Sequence, residues 1–335
     1  MHETVLARAP GRVNLIGDHT DYTGGLVLPM AIDRSTTVRG EPGGDVVELR
    51  SAAEPEPARV PLDVTDPAAV TPPWARYVAG VVAELRPRHG LRGTVTSDVP
   101  IGAGLSSSAA LEVAVALALG FEGSPLELAL LCQRAEQRAS GVPCGVMDQL
   151  ASAAGVEDHA LLVDCSTLDV VPVAVPARLD VVVVDSGERR ALAGSEYADR
   201  RADCEAAARL VGPLRTASLD DLRRIGDPRL RRRARHVITE NARVAAFVDA
   251  VRAGDAPAAG ALMTESHSSL RDDFDVSTRR LDQLVGRLAA TPGVHGARLT
   301  GAGFGGCVVA LADTGSLREG WVLRAAAGAT VARRP

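Results

Sequence analysis

Two glycine-rich runs lie far apart in the sequence, GAGLSSSAA at residues 102–110 and GAGFGGC at residues 301–307. Glycine allows a backbone to approach a ligand or another backbone closely. The first run leads into a small-residue helix pattern, whose N-terminal N–H groups and dipole attract anions, and the second lies between strand-like segments. Glycine-rich loops at both ends of a chain with mixed helix and strand patterns predict a site between two domains.

Ser106, Ser107 and Ser108 of the first run add hydroxyl groups that suit phosphate oxygens or a metal ion. Each run alone is explained equally well by a structural role. The first fits a tight turn with a serine N-cap, and the second fits a glycine-rich hairpin packed on a neighbour. A phosphate-binding function therefore needs support from other parts of the chain.

The basic residues are all arginine, because the 37 Lys and Arg positions include no lysine. The Walker-type phosphate loop and the ATP clamp of protein kinases each need a lysine, so both are excluded. The formal net charge of −5 gives no electrostatic reason to expect nucleic acid binding. The basic stretch LRRIGDPRLRRRARH is accordingly interpreted as the solvated face of a helix rather than as a nucleic-acid or anion-binding patch.

Length and composition predict a two-domain cytoplasmic protein. A chain of 335 residues, 46% of them apolar, is long for one hydrophobic core. The five cysteines are an odd number without regular spacing, and no hydrophobic leader follows Met1, which favours a reducing cytoplasm over a disulfide framework. No apolar run is long enough to span a bilayer, since the richest, ALEVAVALALG, is short and contains Glu112.

The periodicity of apolar residues predicts both strands and helices. Residues 4–40 are predicted as strand, polar loop and strand, residues 41–73 as hairpins and loops, and residues 195–290 as mostly helical. Ser124, Pro125 and Glu127 form a capping-box pattern at a helix start, and Gly141 fits the end of that helix. The buried-strand patterns LLVDC and LDVVVVDSG flank a predicted boundary that divides the chain into residues 1–174 and 175–335.

The N-terminal segment GRVNLIGDHTDYTGG, residues 11–25, concentrates polar hydrogen-bonding groups. This segment, PIGAGLSSSAALE and LTGAGFGGC resemble, in this order, the motifs of the GHMP kinases, a superfamily that includes galactokinase, homoserine kinase and mevalonate kinase. The first motif and segments such as CQRAEQRASGVPCGVMDQ and SGERRALAGSEYADRRADCE resemble galactokinases over nearly the whole chain. The resemblance implies a two-domain α+β fold, the first domain like ribosomal protein S5 domain 2 and the second ferredoxin-like, with the active site between them.

The resemblance also implies a catalytic pair. Asp148 matches the aspartate that accepts the proton of the sugar's C1 hydroxyl. Arg12 matches the arginine that pairs with this aspartate and offsets charge on the transferring phosphoryl group. From the residues alone, Asp148 is better explained as the N-cap of a helix beginning near Gln149. For Arg12 the alternative is a surface salt bridge, which the surrounding polar cluster disfavours. The sequence leaves open whether Asp148 acts as a base or only orients the hydroxyl.

Asp18, His19 and Asp21 match residues with which galactokinases bind the sugar hydroxyls, and Tyr197 and Gly145 match two further sugar contacts. Carboxylates accept hydrogen bonds from two hydroxyls at once, and an imidazole donates or accepts, so this polar density suits a sugar. The structural alternatives are an Asx-turn loop and, for Tyr197, a core tyrosine. Galactokinases usually carry glutamate in place of Asp18, and the shorter side chain leaves the preferred sugar open at the edge near C6.

The resemblance places ATP on the first glycine-rich loop and Mg²⁺ beside it. The expected ATP-binding residues are Trp74, Gly102, Ala103, Gly104, Leu105, Ser106, Ser107 and Ser108. Ser108 and Glu136 match the pair that holds magnesium in related kinases, and oxygen ligands suit this ion. The structural alternatives are a core position on a helix face for Trp74 and an ion pair with an arginine for Glu136.

The expected activity is ATP- and magnesium-dependent phosphorylation of D-galactose at the C1 hydroxyl, giving galactose 1-phosphate and ADP. Two alternatives stay open. One is a kinase for another sugar, such as arabinose or an N-acetylhexosamine, which Asp18 permits, and the other is a non-catalytic sensor that binds ATP and sugar. The intact Arg12, Asp148 and Ser108 favour turnover. The expected partners are a small-molecule sugar and ATP, without nucleic acid or membrane, and the resemblance implies a monomer.

Overall fold

The structure is a computed structural model that describes residues 4–100, 102–188 and 193–334, without the side chains of residues 193–195. Residues 189–192 of the segment SGERRALAGSEYADRRADCE, which contributes to the resemblance, lie outside the described residues. In the described part of the chain, no helix is both long and apolar enough to cross a membrane.

Strands and helices alternate irregularly along the chain. The strands are β1 (Thr4–Asn14), β2 (Leu26–Val27), β3 (Pro29–Pro42), β4 (Val46–Ser51), β5 (Ala58–Pro61), β6 (Leu91–Ser97), β7 (His159–Asp164), β8 (Asp169–Ala174), β9 (Leu179–Asp185), β10 (Val294–Thr300), β11 (Cys307–Asp313), β12 (Trp321–Leu323) and β13 (Thr330–Arg334). The α-helices are α1 (Ala75–Leu85), α2 (Ser107–Ala118), α3 (Pro125–Ser140), α4 (Met147–Ala154), α5 (Ala193–Val211), α6 (Pro228–Ala253), α7 (Ala256–Asp272) and α8 (Arg279–Ala289). Short 3-10 helices span Asp21–Thr23, Pro67–Ala69 and Asp220–Arg224.

The N-terminal region is built on two sheets. Among the described residues, one has six strands in the order β13–β1–β3–β6–β4–β5, and the other has three in the order β2–β7–β8. Helices α2 and α4 both pack against β1 and β3, with apolar residues such as Val113 and Leu150 in a common core. This packing brings the glycine-rich loop before α2, the start of α4 and Arg12 of β1 to one place.

The C-terminal region is built on an antiparallel sheet, which has four strands in the order β10–β11–β9–β12 within the described chain. The central strand β9 is buried along almost its whole length. Val181 and Val183 belong to a core that also contains Ile16 of the N-terminal region, whereas Val182 and Val184 belong to a core with the C-terminal helices. Because alternate side chains face opposite sides of a strand, this sheet is covered on both faces and attaches the two regions to each other.

The chain returns to the N-terminal region at its end. After β12 pairs with β9, Ala325 forms an isolated bridge to Ile32, and β13 pairs antiparallel with β1. Residues 330–334 therefore belong to the first sheet, although the predicted division assigns residues 175–335 to the second domain. The division near residue 174 remains a prediction.

Local patterns that predicted helices and strands are present as such. Ser124 and Glu127 form a capping box at the start of α3, and Gly141 ends the helix with a left-handed φ of 73°. Most arginines of the basic stretch LRRIGDPRLRRRARH are exposed, as its interpretation as a solvated face predicts, but Arg233 is not. Arg233 is only 2% exposed and forms ion pairs with Asp203 and Asp275, so part of this stretch stabilises the interior of the C-terminal region.

Candidate active site

A cavity of about 1210 Å³ opens between the N-terminal polar segment, the glycine-rich loop at residues 102–108 and the loop after β10. Most of the predicted site residues line it, namely Arg12, Asp18, His19, Asp21, Trp74, Gly102, Gly104, Ser106, Ser107, Ser108, Glu136, Gly145, Asp148 and Tyr197. Ala103 and Leu105 do not, because their side chains point into the core beneath the loop.

Arg12 and Asp148 form a two-pronged ion pair at the cavity wall. Arg12 Nε donates to Asp148 Oδ1 over 2.7 Å, and Nη2 donates to Oδ2 over 2.5 Å. The Arg12 side chain is 6% exposed and that of Asp148 is 27% exposed. Bidentate arginine–carboxylate pairs are strong and geometrically specific. Asp148 lies in the first turn of α4, whose N-cap is Val146, so its carboxylate does not serve as the N-cap and remains accessible from the cavity.

The glycine-rich loop is hydrogen-bonded to this ion pair. Arg12 Nη1 donates to Gly104 O over 2.6 Å, and Arg12 N donates to Leu105 O over 3.1 Å. Ser106 occupies the N-cap position of α2, with a left-handed φ of 56°, but makes no side-chain cap hydrogen bond. Its Oγ instead donates to Asp148 Oδ2. The first N–H groups of α2, which lack intrahelical partners, therefore stay available for an anion in the cavity.

Ser108 and Glu136 meet beside this loop. Ser108 Oγ donates to Glu136 Oε1 over 3.0 Å. Gln149 Nε2 donates to Glu136 Oε2 and, over 3.2 Å, to Oε2 of the fully buried Glu112. Burial and the neighbouring Asp148 raise the pKa of Glu136 to about 7. A hydroxyl and a carboxylate in contact, in a place where negative charge is disfavoured, fit a hard divalent cation with oxygen ligands.

The polar N-terminal segment contributes His19 to the cavity. His19 Nε2 lies 3.2 Å from Ala302 O, and Nδ1 lies 3.0 Å from the Tyr22 hydroxyl. Because a carbonyl oxygen only accepts, Nε2 donates to Ala302 and Nδ1 accepts from Tyr22. The imidazole ring also packs against Phe274 and Tyr197, with centroid distances of 4.7 and 5.5 Å. The ring is thus fixed in orientation at the edge of the cavity.

Asp21 lies against Gly145, and no larger residue fits there. A Cβ atom at Gly145 would lie 1.8 Å from Asp21 Oδ2. Burial and the charges of Asp148 and Asp18 raise the pKa of Asp21 to about 7. Gly145 therefore allows a carboxylate to lie close to the start of α4, next to the ion pair.

Tyr197 and Trp74 line the cavity beside different neighbours. The ring of Tyr197 packs on Tyr22 with a centroid distance of 5.3 Å in an edge-to-face arrangement, near the polar segment. Trp74 precedes α1 and donates from Nε1 to Glu56 O over 3.0 Å. Its ring is partly buried against the N-terminal core and also lines the cavity, so its core and site positions are compatible.

Asp18 is buried and bonded to the C-terminal region. Its Oδ1 accepts a hydrogen bond from Gly301 N over 3.0 Å, and its Oδ2 lies 2.6 Å from Arg298 Nη2. The sequence singled out the glycine run that begins at Gly301 but assigned none of its residues to the site, although Gly301 and Ala302 line the cavity. Arg298 was missed because one arginine among many carries no local signal.

Comparison with known proteins supports the same family as the motifs. The family model of the galactokinase galactose-binding signature matches residues 1–42, and the models of the GHMP kinases N-terminal and C-terminal domains match residues 76–156 and 247–320. A galactokinase from Chloroflexus aggregans is 47% identical over 339 residues, which cover 94% of this chain and 86% of its own length. The chain belongs to the galactokinase family. The Homo sapiens galactokinase is 46% identical and covers 91% of this chain and 83% of its own length.

Solved structures agree with the family assignment. Lactococcus lactis galactokinase, in a complex with galactose, has a TM-score of 0.92 and 32% identity, and the match covers 98% of this chain and 95% of that chain. The L. major mevalonate kinase in complex with R-mevalonate has a TM-score of 0.68 at 22% identity over 96% of this chain, and this likeness concerns the fold alone. The expected two-domain α+β GHMP kinase fold is confirmed. The roles of individual site residues remain predictions.

Proposed function

We propose that this protein transfers the γ-phosphoryl group of ATP to the C1 hydroxyl of D-galactose, giving galactose 1-phosphate and ADP. The observation that carries the proposal is the Arg12–Asp148 ion pair, which lies in the cavity between the polar segment and the glycine-rich loop. Membership of the galactokinase family and the likeness to a galactokinase complexed with galactose support the choice of sugar.

The hydrogen bonds that Asp148 already accepts support one of its two oxygens as the acceptor of the sugar hydroxyl. Each carboxylate oxygen has about two acceptor sites. Oδ2 already accepts from Arg12 and Ser106, whereas Oδ1 accepts from Arg12 alone. The C1 hydroxyl would therefore donate to Oδ1, and its proton would pass there as its oxygen attacks the phosphoryl group. Arg12 compensates the carboxylate charge and lies where it can offset charge developing on that group.

The other groups position the two substrates. The free N–H groups at the start of α2 would bind phosphate oxygens, while Asp21 would bind sugar hydroxyls. His19 would bind a hydroxyl by exchanging its bond to Ala302 or to Tyr22 for one to the sugar. Holding the hydroxyl and the phosphoryl group in line supplies much of the acceleration in phosphoryl transfer. Because Arg12 and Ser106 connect the loop to Asp148, the phosphate and the attacking hydroxyl would be located relative to the same ion pair.

Ser108 and Glu136 would hold Mg²⁺ in this proposal. Their oxygens are 3.0 Å apart, and Gln149 fixes the second oxygen of Glu136. When bound, the ion would neutralise charge on the phosphate oxygens. We also propose, on the basis of the family resemblance, that the protein is a monomer and lies in the cytoplasm. Light scattering of the purified protein measures its oligomeric state.

The proposal is tested with a coupled assay of ADP release, using purified protein, magnesium, ATP and a panel of free sugars. The phosphorylated carbon of each product is then identified by phosphorus–proton NMR. Turnover of galactose with phosphate on C1 supports the proposal. Turnover of arabinose or an N-acetylhexosamine alone would move the function to another sugar, and sugar binding without ADP release would favour a non-catalytic sensor.

A further inference from the structure

The segment at residues 14–26, which carries Asp18, His19 and Asp21, is held by hydrogen bonds to the C-terminal region. These bonds join Thr300 Oγ1 to Asn14 O (2.9 Å), Arg298 Nη1 to Leu15 O (3.2 Å), Gly17 N to Glu240 Oε1 (3.1 Å), His236 Nε2 to Asp18 O (3.1 Å), Gly301 N to Asp18 Oδ1 (3.0 Å) and Leu26 N to Asn241 Oδ1 (2.7 Å). The geometry of the expected sugar contacts therefore depends on residues more than half a chain away.

Arg298 is the central charged group of this set. Its side chain is 0% exposed, and Nη2 lies 2.6 Å from Asp18 Oδ2 and 4.0 Å from Glu240 Oε1. Removing a guanidinium from water is unfavourable, and only close partners compensate that cost. The same side chain donates to the backbone at Leu15. Arg298 therefore fixes both the backbone and the carboxylate of the segment.

Asp18 lines the cavity, and both oxygens of its carboxylate face groups of the C-terminal region, although Asn14 and Arg12 of the N-terminal region also act on it. Oδ1 accepts from Gly301 N, and Oδ2 faces Arg298. Oδ2 is buried against Arg298, whereas Oδ1 keeps an acceptor site beyond its bond from Gly301 N, because each carboxylate oxygen accepts about two hydrogen bonds. An aspartate has only one methylene group and cannot extend toward a ligand while it keeps both contacts. The position of Arg298, which holds Oδ2, thus decides where the remaining acceptor site of Oδ1 lies.

We propose that Arg298 is a positioning residue for sugar recognition: its buried guanidinium sets the place of the Asp18 carboxylate and thereby the affinity and selectivity for the sugar edge that meets it. The inference rests on the proposed function only in taking the ligand to be a sugar. A site whose polar groups are held in place rejects an analogue that leaves one of them unpaired. A solely structural Arg298 would alter stability but not the discrimination between such analogues.

The test measures binding of galactose and its monodeoxy derivatives by titration calorimetry, together with KM and kcat for sugar and ATP. The variants are Arg298→Met, Arg298→Lys, Asp18→Asn and the double variant Asp18→Asn with Arg298→Met. In the unmodified protein, the deoxy sugar that lacks the hydroxyl bound by Asp18 should bind roughly tenfold or more weakly than galactose. Asp18→Asn and Arg298→Met should both erase that same preference, with the KM for sugar raised and the KM for ATP unchanged.

Two further results are expected if Arg298 acts through Asp18. The double variant should bind galactose no more weakly than Arg298→Met alone, because coupled residues are not additive. Arg298→Lys keeps a charge near Asp18 and should restore part of the preference. Arg233→Met is the matched control, since Arg233 is also a buried arginine but pairs with Asp203 and Asp275. It should lower stability while leaving the order of the sugars unchanged.

Several outcomes would overturn the inference. One is an Arg298→Met protein that is destabilised like Arg233→Met but keeps the sugar preference, and another is full additivity of the two substitutions. If Arg298→Met does not fold, the sugar preference of Arg298→Lys is compared with that of Asp18→Asn instead. A preference that weakens in both variants supports the inference, and a preference that Arg298→Lys keeps in full contradicts it. If the unmodified protein phosphorylates no sugar, the proposed function fails separately, and hydrogen exchange of residues 14–26 still tests Arg298. Faster exchange there in Arg298→Lys than in Arg233→Met would support positioning, and equal exchange would contradict it.

Discussion

Two arginine–aspartate pairs lie at the same cavity in different environments, and three of their side chains, those of Arg12, Asp18 and Asp148, line it. In the Arg12–Asp148 pair the carboxylate is 27% exposed, whereas in the Arg298–Asp18 pair the two side chains are 0% and 2% exposed. The first pair lies within the N-terminal region, between β1 and α4, and the second joins the N-terminal segment to β10 of the C-terminal region. An accessible carboxylate can exchange a proton with a substrate, whereas one held against a buried arginine is suited to presenting a hydrogen-bond acceptor at a fixed place. The same two residue types are thus suited to chemistry in one place and to positioning in the other.

Among the substitutions that test this comparison, replacing Asp148 with Asn should have the largest effect, which is on activity. The amide cannot accept the hydroxyl proton, so kcat should fall by about 10³-fold, while the sugar contacts remain and the sugar Kd changes little. The coupled ADP assay and titration calorimetry measure the two quantities. Asp249→Asn, at an exposed position of α6, is the control and should keep full activity. An Asp148→Asn protein with normal turnover would remove the proposed base.

Replacing Arg298 with Met should cost the most stability. Removing one partner of a buried pair leaves an unpaired charge, which typically lowers the free energy of unfolding by about 3–5 kcal/mol. Arg12→Met should cost less, because Asp148 remains partly accessible to water. Urea denaturation at neutral pH measures both variants. If Arg12→Met proves the more destabilising change, the division into an accessible pair and a sealed pair is wrong.

Replacing Gly145 with Ala should disturb the space between the two pairs. The new Cβ would meet Asp21 Oδ2 at 1.8 Å, so Asp21 or the start of α4 must move. Overpacking of this kind costs about 1–3 kcal/mol, and we expect the sugar KM to rise roughly tenfold. Gly286→Ala is the control, because its Cβ would meet nothing within 4 Å. An unchanged sugar KM in Gly145→Ala would exclude Asp21 from the sugar site.

The smallest effect should be a change in the pH dependence of stability. Burial and the neighbouring carboxylates raise the pKa of Asp21 to about 7, so the folded protein keeps a proton that the unfolded chain releases near pH 4. The free energy of unfolding should therefore fall as the pH rises from about 4 to about 7. Asp21→Asn should flatten this slope in part, because Glu136, whose pKa is also raised to about 7, contributes in the same direction. Denaturation of both proteins across this pH range measures the slope, and an unaltered slope in Asp21→Asn would contradict the prediction.

Much of the local structure was predictable because its causes are local. The capping box at Ser124 and the left-handed Gly141 delimit α3, and apolar periodicity predicted α6 and α8. Other features were not predictable from local patterns. The strand β13 is exposed along its whole length. Its sequence therefore has no alternation of buried apolar and exposed polar residues that would indicate a strand of the first sheet.

The sequence predicted some residues of the candidate site and missed others. The resemblance supplied Arg12, Asp148 and the residues of the glycine-rich loop, and the structure brings most of them to one cavity. Ser106 was expected as a ligand of phosphate or a metal ion, or as a helix cap, whereas its hydroxyl donates to Asp148. Gln149 and Glu112, which lie behind Glu136, were not expected at all. These contacts join separate helices, and no spacing along the chain reveals them.

By itself, the sequence determined the kinds of groups available: glycine-rich loops, oxygen-bearing side chains and a chain whose 37 basic residues are all arginine. It thereby excluded every site that needs a lysine. Only the tertiary structure decided which arginine meets which carboxylate. Asp148 lies 136 residues from Arg12 in the chain, and Asp18 lies even farther from Arg298. Local propensities act over a few residues, whereas these pairings follow from how β1, α4 and β10 pack around a common core, which then separates an accessible carboxylate from a sealed one.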